Sequence, residues 1–208
     1  VVFEGIDGTG KSTQVRLLQQ ALEQAGETPV VSREPTDGPW GRRIRESATT
    51  GRMPVSEELA AFIRDRTGHV NELILPALRR GRIVILDRYY YSTIAYQGAR
   101  GADPVRIQAE MEERFPKPDV VFLLDMDPVT AVQRIARHRR EDPNEFERLE
   151  GLERVRSIFH SLQDDRIVRI DAGQPEGEVH RQIVAMLANG PLQSREAFRG
   201  LVRRLKGS

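Results

Sequence analysis

Eight residues near the start of the chain, Gly5-Ile6-Asp7-Gly8-Thr9-Gly10-Lys11-Ser12, combine three glycines with a lysine and a hydroxyl. Their spacing fits G-x-x-x-x-G-K-[ST], and they stand where that pattern requires, after the apolar run Val1-Val2-Phe3 and before a helical pattern. Gly5, Gly8 and Gly10 tolerate backbone angles closed to other residues, so successive N–H groups of Ile6, Thr9 and their neighbours turn inward around an anion. Lys11 adds a mobile positive charge for the outer phosphates, Ser12 a hydroxyl ligand for Mg²⁺, and Thr13 continues the turn into a helix whose positive dipole end faces the same point. The chemistry is binding of a nucleoside triphosphate.

Three further clusters carry chemistry. Asp87-Arg88 closes the apolar run Ile83–Leu86: a carboxylate there can hold the Mg²⁺ shell, and the guanidinium can fork onto a phosphate. Arg33-Glu34-Pro35 closes another run, as a structural pair or as part of an acceptor pocket. Phe62 and Arg66, four apart on one helix, combine a ring that stacks with a guanidinium that donates to a base carbonyl, although each alone suits a core or a solvated surface. After Asp125-Met126-Asp127-Pro128 comes an arginine-rich stretch with Arg134, Arg137, Arg139 and Arg140, read as a lid over about 137–148 that folds across the nucleotide and stabilises charge on a transferring phosphoryl group.

The elements that must position these groups alternate. Short Val- and Ile-rich strands are expected at Val1–Glu4, Thr28–Ser32, Ile83–Asp87, Val120–Asp125 and Arg166–Asp171. Amphipathic helices are expected at Lys11–Gln24, Gly41–Thr49, Ser56–Arg80, Ser92–Arg114, Pro128–Arg139, Glu145–Gln163 and Glu176–Ala188. Alternation of this kind predicts an α/β three-layer sandwich with a central five-stranded parallel sheet, of P-loop NTPase type, whose ligands bind beyond the carboxyl ends of the strands. At 208 residues the chain fits one domain over 1–208, with a basic amphipathic extension over about 190–208. The absence of cysteine excludes disulfides and agrees with a cytoplasmic location. No apolar run reaches bilayer length, so no membrane partner is expected. A balance of 32 basic and 31 acidic residues gives no argument for a nucleic-acid partner.

Taken together, Phe3 to Gln14, Arg33-Glu34-Pro35, Phe62-x-x-x-Arg66, Asp87-Arg88-Tyr89 followed by Ser92-Thr93-x-Ala95-Tyr96-Gln97-Gly98, and Leu124-Asp125-x-Asp127-Pro128 closely resemble the thymidylate kinases, from about Val1 to Leu187 and in the family's order. The resemblance implies transfer of the ATP γ-phosphate to dTMP, giving dTDP and ADP, with Mg²⁺, in a homodimer; the helix carrying Phe62 and Arg66 is long enough to contribute to its interface. It further implies that Lys11, Ser12 and the loop backbone hold the ATP phosphates and that Arg134 and Arg137 serve the nucleotide. On the acceptor side, Asp7 meets the sugar hydroxyl or the phosphate shell, and Arg88 forks the acceptor phosphate with Asp87 near the metal. Phe62 stacks on thymine, Arg66 and Thr93 address its polar edge, and Tyr96 crowds the 2′ position beside Gln97. Arg33, Glu34 and Arg45 supply further acceptor contacts. Gly8 stands where one class of the family carries a catalytic arginine, so the chain resembles the lid-arginine class common in bacteria, with Arg137 and Arg140 favoured as the catalytic pair. Two departures fall at the acceptor side: the family usually follows Arg-Glu-Pro with two glycines, whereas here Thr36-Asp37-Gly38 follows, and Arg42 replaces a common acidic residue. The alternatives are another nucleoside or nucleoside monophosphate kinase, acting on dUMP or thymidine for instance, and a non-catalytic nucleotide-sensing module.

Overall fold

The computed structural model describes residues 1–138 and 145–194, with the backbone alone for 137, 138 and 145–148. Five strands form one parallel sheet: β1 (Val2–Glu4), β2 (Val30–Arg33), β3 (Val84–Asp87), β4 (Val121–Asp125) and β5 (Ile167–Asp171), in the order β2-β3-β1-β4-β5. Successive residues of β1, β3 and β4 are buried, as expected of central strands covered on both faces, while the edge strands β2 and β5 keep partial exposure. Helices α1 (Lys11–Gln24) and α9 (Glu176–Asn189, the last helix) pack together against the sheet. A second group is built around α5 (Tyr90–Gly98), α6 (Pro104–Arg114) and α8 (Glu145–Ser161). The core runs through Phe3, Leu18, Ile85, Ile94, Phe122 and Phe159, all within 2% of complete burial.

Two expected helices are divided, each for a local reason. The stretch 92–114 breaks after Gly98. Gly101 takes a positive φ, and Asp103 then caps α6, its carboxylate accepting from the Val105 and Arg106 amides with Pro104 at the first helical position. The stretch 56–80 becomes α3 (Val55–His69), one π-helical turn (Val70–Ile74) and α4 (Leu75–Arg79). Pro76 has no N–H to give the carbonyl four residues back and its ring crowds that carbonyl; the widened turn, with Leu75 N–H bonded to Val70 O, accommodates it. The remaining helices, α2 (Pro39–Thr50) and α7 (Pro128–His138), fall close to expectation.

The sheet order places β1 between the two halves of the fold, and every strand is parallel to it. Glu4, Arg33, Asp87, Asp125 and Asp171 therefore all leave the sheet at one rim, at the point where the chain order reverses.

Candidate active site

A cavity of about 880 Å³ opens at that rim. One wall is the loop Asp7–Ser12 running into Thr13 and Gln14; another carries Arg33, Glu34, Pro35 and Arg45. Asp87 and Arg88 lie between them, and Arg134 and Ala172 close the far side. The phosphate-loop residues, the arginines of the β2 side and the Asp-Arg pair thus face one space.

Lys11 is buried, and its Nζ donates to Ile6 O at 2.8 Å, as Thr9 Oγ1 does at 3.0 Å. Burial first, and then the neighbouring Arg88 charge, lower its pKa to about 8, partly opposed by Asp7, Asp87 and Glu4. The Ser12 hydroxyl donates directly to Asp87 Oδ2. Two hard oxygen donors therefore meet at the loop's end, which fits Mg²⁺, an ion that takes few protein ligands and leaves its other positions to water and phosphate. Among the described residues no group of three or more His, Cys, Asp or Glu is gathered to hold a metal ion.

Gly8 has φ +89°, and a Cβ there would stand 2.5 Å from Ala131 O and 3.1 Å from Ile135 on α7. The loop is pressed against the helix that leads toward 139–144. A side chain at position 8 is excluded by backbone angle and by space together.

Arg88 is the one non-glycine residue with positive φ (71°) among those described. Its side chain is held on four sides, donating to Asp7 Oδ1 at 2.7 Å, Ser92 Oγ at 2.7 Å, Tyr96 Oη at 3.1 Å and Gly5 O at 3.2 Å. Burial alone would lower its pKa, but Tyr96, Asp7, Glu4 and Asp87 outweigh this and raise it, so the guanidinium is permanently charged. The turn itself is set by Glu4. That carboxylate is wholly buried at the end of β1, accepts from the Tyr89 amide at 2.8 Å and the Ser92 amide at 3.1 Å, and also bonds the Ser92 hydroxyl. Burial pushes its pKa up to about 7, against the opposing pull of Arg88 and these hydrogen bonds.

The residues expected around a base lie one layer deeper. Arg66 is 1% exposed, unlike the solvated residue that helix spacing alone suggests. Its Nε donates to Glu34 Oε2 at 2.8 Å and its Nη2 to Thr93 Oγ1 at 2.8 Å, between the rings of Tyr89 and Phe115. Glu34, which lines the cavity, also meets His69 Nδ1 at 2.9 Å, and His69 Nε2 meets Ser32 Oγ at 2.8 Å. Arg33 and Glu34 are not a pair: Arg33 turns to Asp37 and Glu34 to Arg66. Phe62 is half-buried and, like Trp40, packs against the small cluster of Ile44, Met53 and Ala61. Tyr96 reaches both Arg88 and Asp7. Gln97 is fully enclosed, donating to Glu58 Oε2 at 2.7 Å, with its own carbonyl oxygen unpartnered. Arg66 and Thr93 are thus brought together; neither these two nor Phe62, Tyr96 and Gln97 line the cavity wall.

Arg134 donates to Ala172 O at 3.2 Å on the far side of the cavity. The Arg137 side chain, Arg139 and Arg140 lie outside the described residues, as does 195–208 of the basic extension. Arg156 of α8 forks Asp125 at 2.7 and 2.8 Å, which with burial opposing holds the carboxylate down at about 2. Sequence reasoning passed over Glu4, His69 and this Asp125–Arg156 clamp. Glu4 had a signal, a carboxylate inside an apolar strand; His69 had its spacing of three from Arg66 on the same helix.

A glycine-rich loop at the switch point of a parallel sheet, facing an Asp-Arg pair across one cavity, defines a P-loop nucleotide-binding protein of the α/β class. A family model described as thymidylate kinase matches residues 3–183. The chain is 49% identical over 193 residues to the thymidylate kinase of Xanthomonas oryzae pv. oryzae (strain PXO99A), covering 91% of this chain and 84% of that one. It is also 49% identical over 183 residues to the thymidylate kinase of Akkermansia muciniphila, covering 88% of each. The chain belongs to the thymidylate kinase family.

Two outcomes follow from the buried charges. Phosphates bound beside Lys11 would favour its charged form, so nucleoside triphosphate binding there should take up about half a proton at pH 8 and almost none at pH 6.5. Calorimetry in buffers of different ionisation enthalpy reads this directly, and Lys11→Arg abolishes the uptake. Folded Glu4 keeps its proton to about pH 7, whereas the unfolded chain loses it near 4.5. Its contribution to stability is therefore present below pH 4.5 and falls as pH rises to 7, by on the order of 3 kcal/mol. Urea unfolding of Glu4→Gln beside the parent should show the variant gaining relative stability from pH 5 to 7; a constant difference would contradict the assignment.

Proposed function

We propose that this protein transfers the γ-phosphate of ATP to dTMP, giving dTDP and ADP. The observation that carries the reading is the meeting, around one cavity, of the phosphate loop with Arg88, Arg33 and Arg45, which gives the donor and the acceptor phosphates separate cationic walls. Mere binding of a triphosphate has no use for the second wall, which disfavours a sensing module.

In this reading Lys11, Arg134 and the amides of the loop from Gly5 to Thr13 hold the donor, and Ser12 with Asp87 holds Mg²⁺, which would neutralise charge between the phosphates. Arg88 forks the acceptor phosphate, Asp7 and Tyr96 border its sugar, and Phe62 with Arg66 and Thr93 forms the base pocket behind Glu34. Gln97, one helical turn beyond Thr93 on α5, backs that pocket. The acceptor oxygen is already anionic, so no general base is required, and the rate comes from positioning and charge stabilisation. Lid arginines, Arg137 and Arg140, complete the charge that Gly8 cannot carry. We further read residues 1–208 as one domain acting in the cytoplasm as a homodimer. The cysteine-free composition supports the compartment, and membership of the family supports the homodimer. Among the described residues no helix is long and apolar enough to cross a membrane.

A coupled assay with ATP and Mg²⁺ against dTMP, dUMP, UMP, CMP and thymidine tests the assignment. The expected result is a kcat/KM for dTMP at least about tenfold above every other acceptor: dUMP lacks the methyl that a shaped pocket discriminates by roughly that factor, and CMP presents the wrong hydrogen-bonding edge. Preference for thymidine would instead demand a base to deprotonate its hydroxyl and would overturn the reading.

A further inference from the structure

Asp37 stands where the family pattern has glycine, and it engages the same arginines that face the acceptor side of the cavity. Arg33 Nη2 donates to both carboxylate oxygens, at 2.9 and 3.2 Å, and Arg45 Nη2 donates to Oδ1 at 2.9 Å. Arg45 is braced from behind by its Nη1 on Pro35 O at 2.8 Å, and Arg42 bonds the Asp37 carbonyl at 2.6 Å. Arg33 and Arg45 line the cavity with Arg88.

The loop that presents Asp37 is held firmly. Thr36 donates its amide and its hydroxyl to the two oxygens of buried Asp65, at 2.7 and 2.6 Å, and Gly38 N–H bonds back to Thr36 Oγ1 at 3.0 Å. Helix α2 presses on the same residue, for a Cβ at Gly41 would stand 1.9 Å from Thr36 O. The carboxylate is fixed at the arginine fork, yet it remains 72% exposed, so its ion pairs are individually weak and screened by salt. Its pKa is held down by the Arg33 hydrogen bond first and by the charges of Arg33, Arg45 and Arg42 after it, so it is an anion at neutral pH.

We propose that Asp37 is an internal stand-in for the acceptor's phosphate: it occupies the fork of Arg33 and Arg45 and must be displaced by a dianionic phosphate monoester for the acceptor to bind. This rests on the reading of that wall as the acceptor-phosphate site. A phosphate dianion carries more charge and more acceptor oxygens than one carboxylate, and it displaces the weak exposed pairs. A neutral nucleoside has nothing with which to displace them. Asp37 therefore raises the KM for the acceptor and sharpens the preference for a monophosphate over a nucleoside.

The test is steady-state kinetics of Asp37→Asn with dTMP at low and high salt, beside the unaltered protein. The expected result is a KM for dTMP lower by about threefold to tenfold, carried in KM rather than kcat, with the gap closing near 0.5 M salt. In an Arg45→Ala background the same substitution should have a much smaller effect, because the two residues act through one contact. An unchanged or raised KM for Asp37→Asn, in a protein that still phosphorylates dTMP, overturns the proposal and marks Asp37 as a brace for the arginines. Failure of the unaltered protein to use dTMP at all would instead strike the reading on which the proposal rests.

Discussion

The site depends on one buried carboxylate. Glu4 ends the central strand with no exposed surface, and it spends its oxygens on the Tyr89 and Ser92 amides and the Ser92 hydroxyl. Those bonds hold the turn after β3 in the shape that puts Arg88 at positive φ, a backbone state that costs a non-glycine residue roughly 1 kcal/mol and persists only where its surroundings enforce it. Ser92 then returns the contact by accepting from Arg88 Nη1. The guanidinium is thus aimed by the end of one strand while belonging to its neighbour. It meets Asp7 on the phosphate loop as a consequence of the register between them.

The same economy governs the other side of the loop. α7 lies so close to Gly8 that the loop cannot carry a side chain there, and α7 is also the helix that leads toward the arginine-rich stretch. One packing contact, Gly8 against Ala131 and Ile135 of α7, is enough to exclude an arginine from position 8. On the other side of the sheet's rim, Arg156 ties α8 to Asp125 at the end of β4.

Much of this was legible in the residues. The five strands and α1 follow from apolar runs and a glycine-rich turn, because a central parallel sheet leaves few other ways to read Val-Ile runs bounded by charged ends. The two divided helices show what periodicity misses. Gly98 to Asp103 and Pro76 act through local backbone chemistry that an apolar stripe runs straight across. Individual charges were the hardest to read. Spacing puts Arg66 on the face of Phe62, but only the fold brings Glu34, thirty-two residues away, to neutralise it between two aromatic rings. For Glu34 the residues alone left open a pairing with its neighbour Arg33 or a place in an acceptor pocket; in the fold Arg33 pairs with Asp37 and Glu34 with Arg66.

The central claim is that Arg88, aimed by Glu4, carries the acceptor phosphate during transfer. The most direct measurement is rapid-quench single-turnover transfer from γ-labelled ATP to saturating dTMP by Arg88→Gly, a substitution that suits the left-handed backbone and removes only the side chain. The account predicts a transfer rate lower by on the order of a hundredfold or more, with ATP affinity within about twofold of the parent. A parental transfer rate in the variant would contradict it.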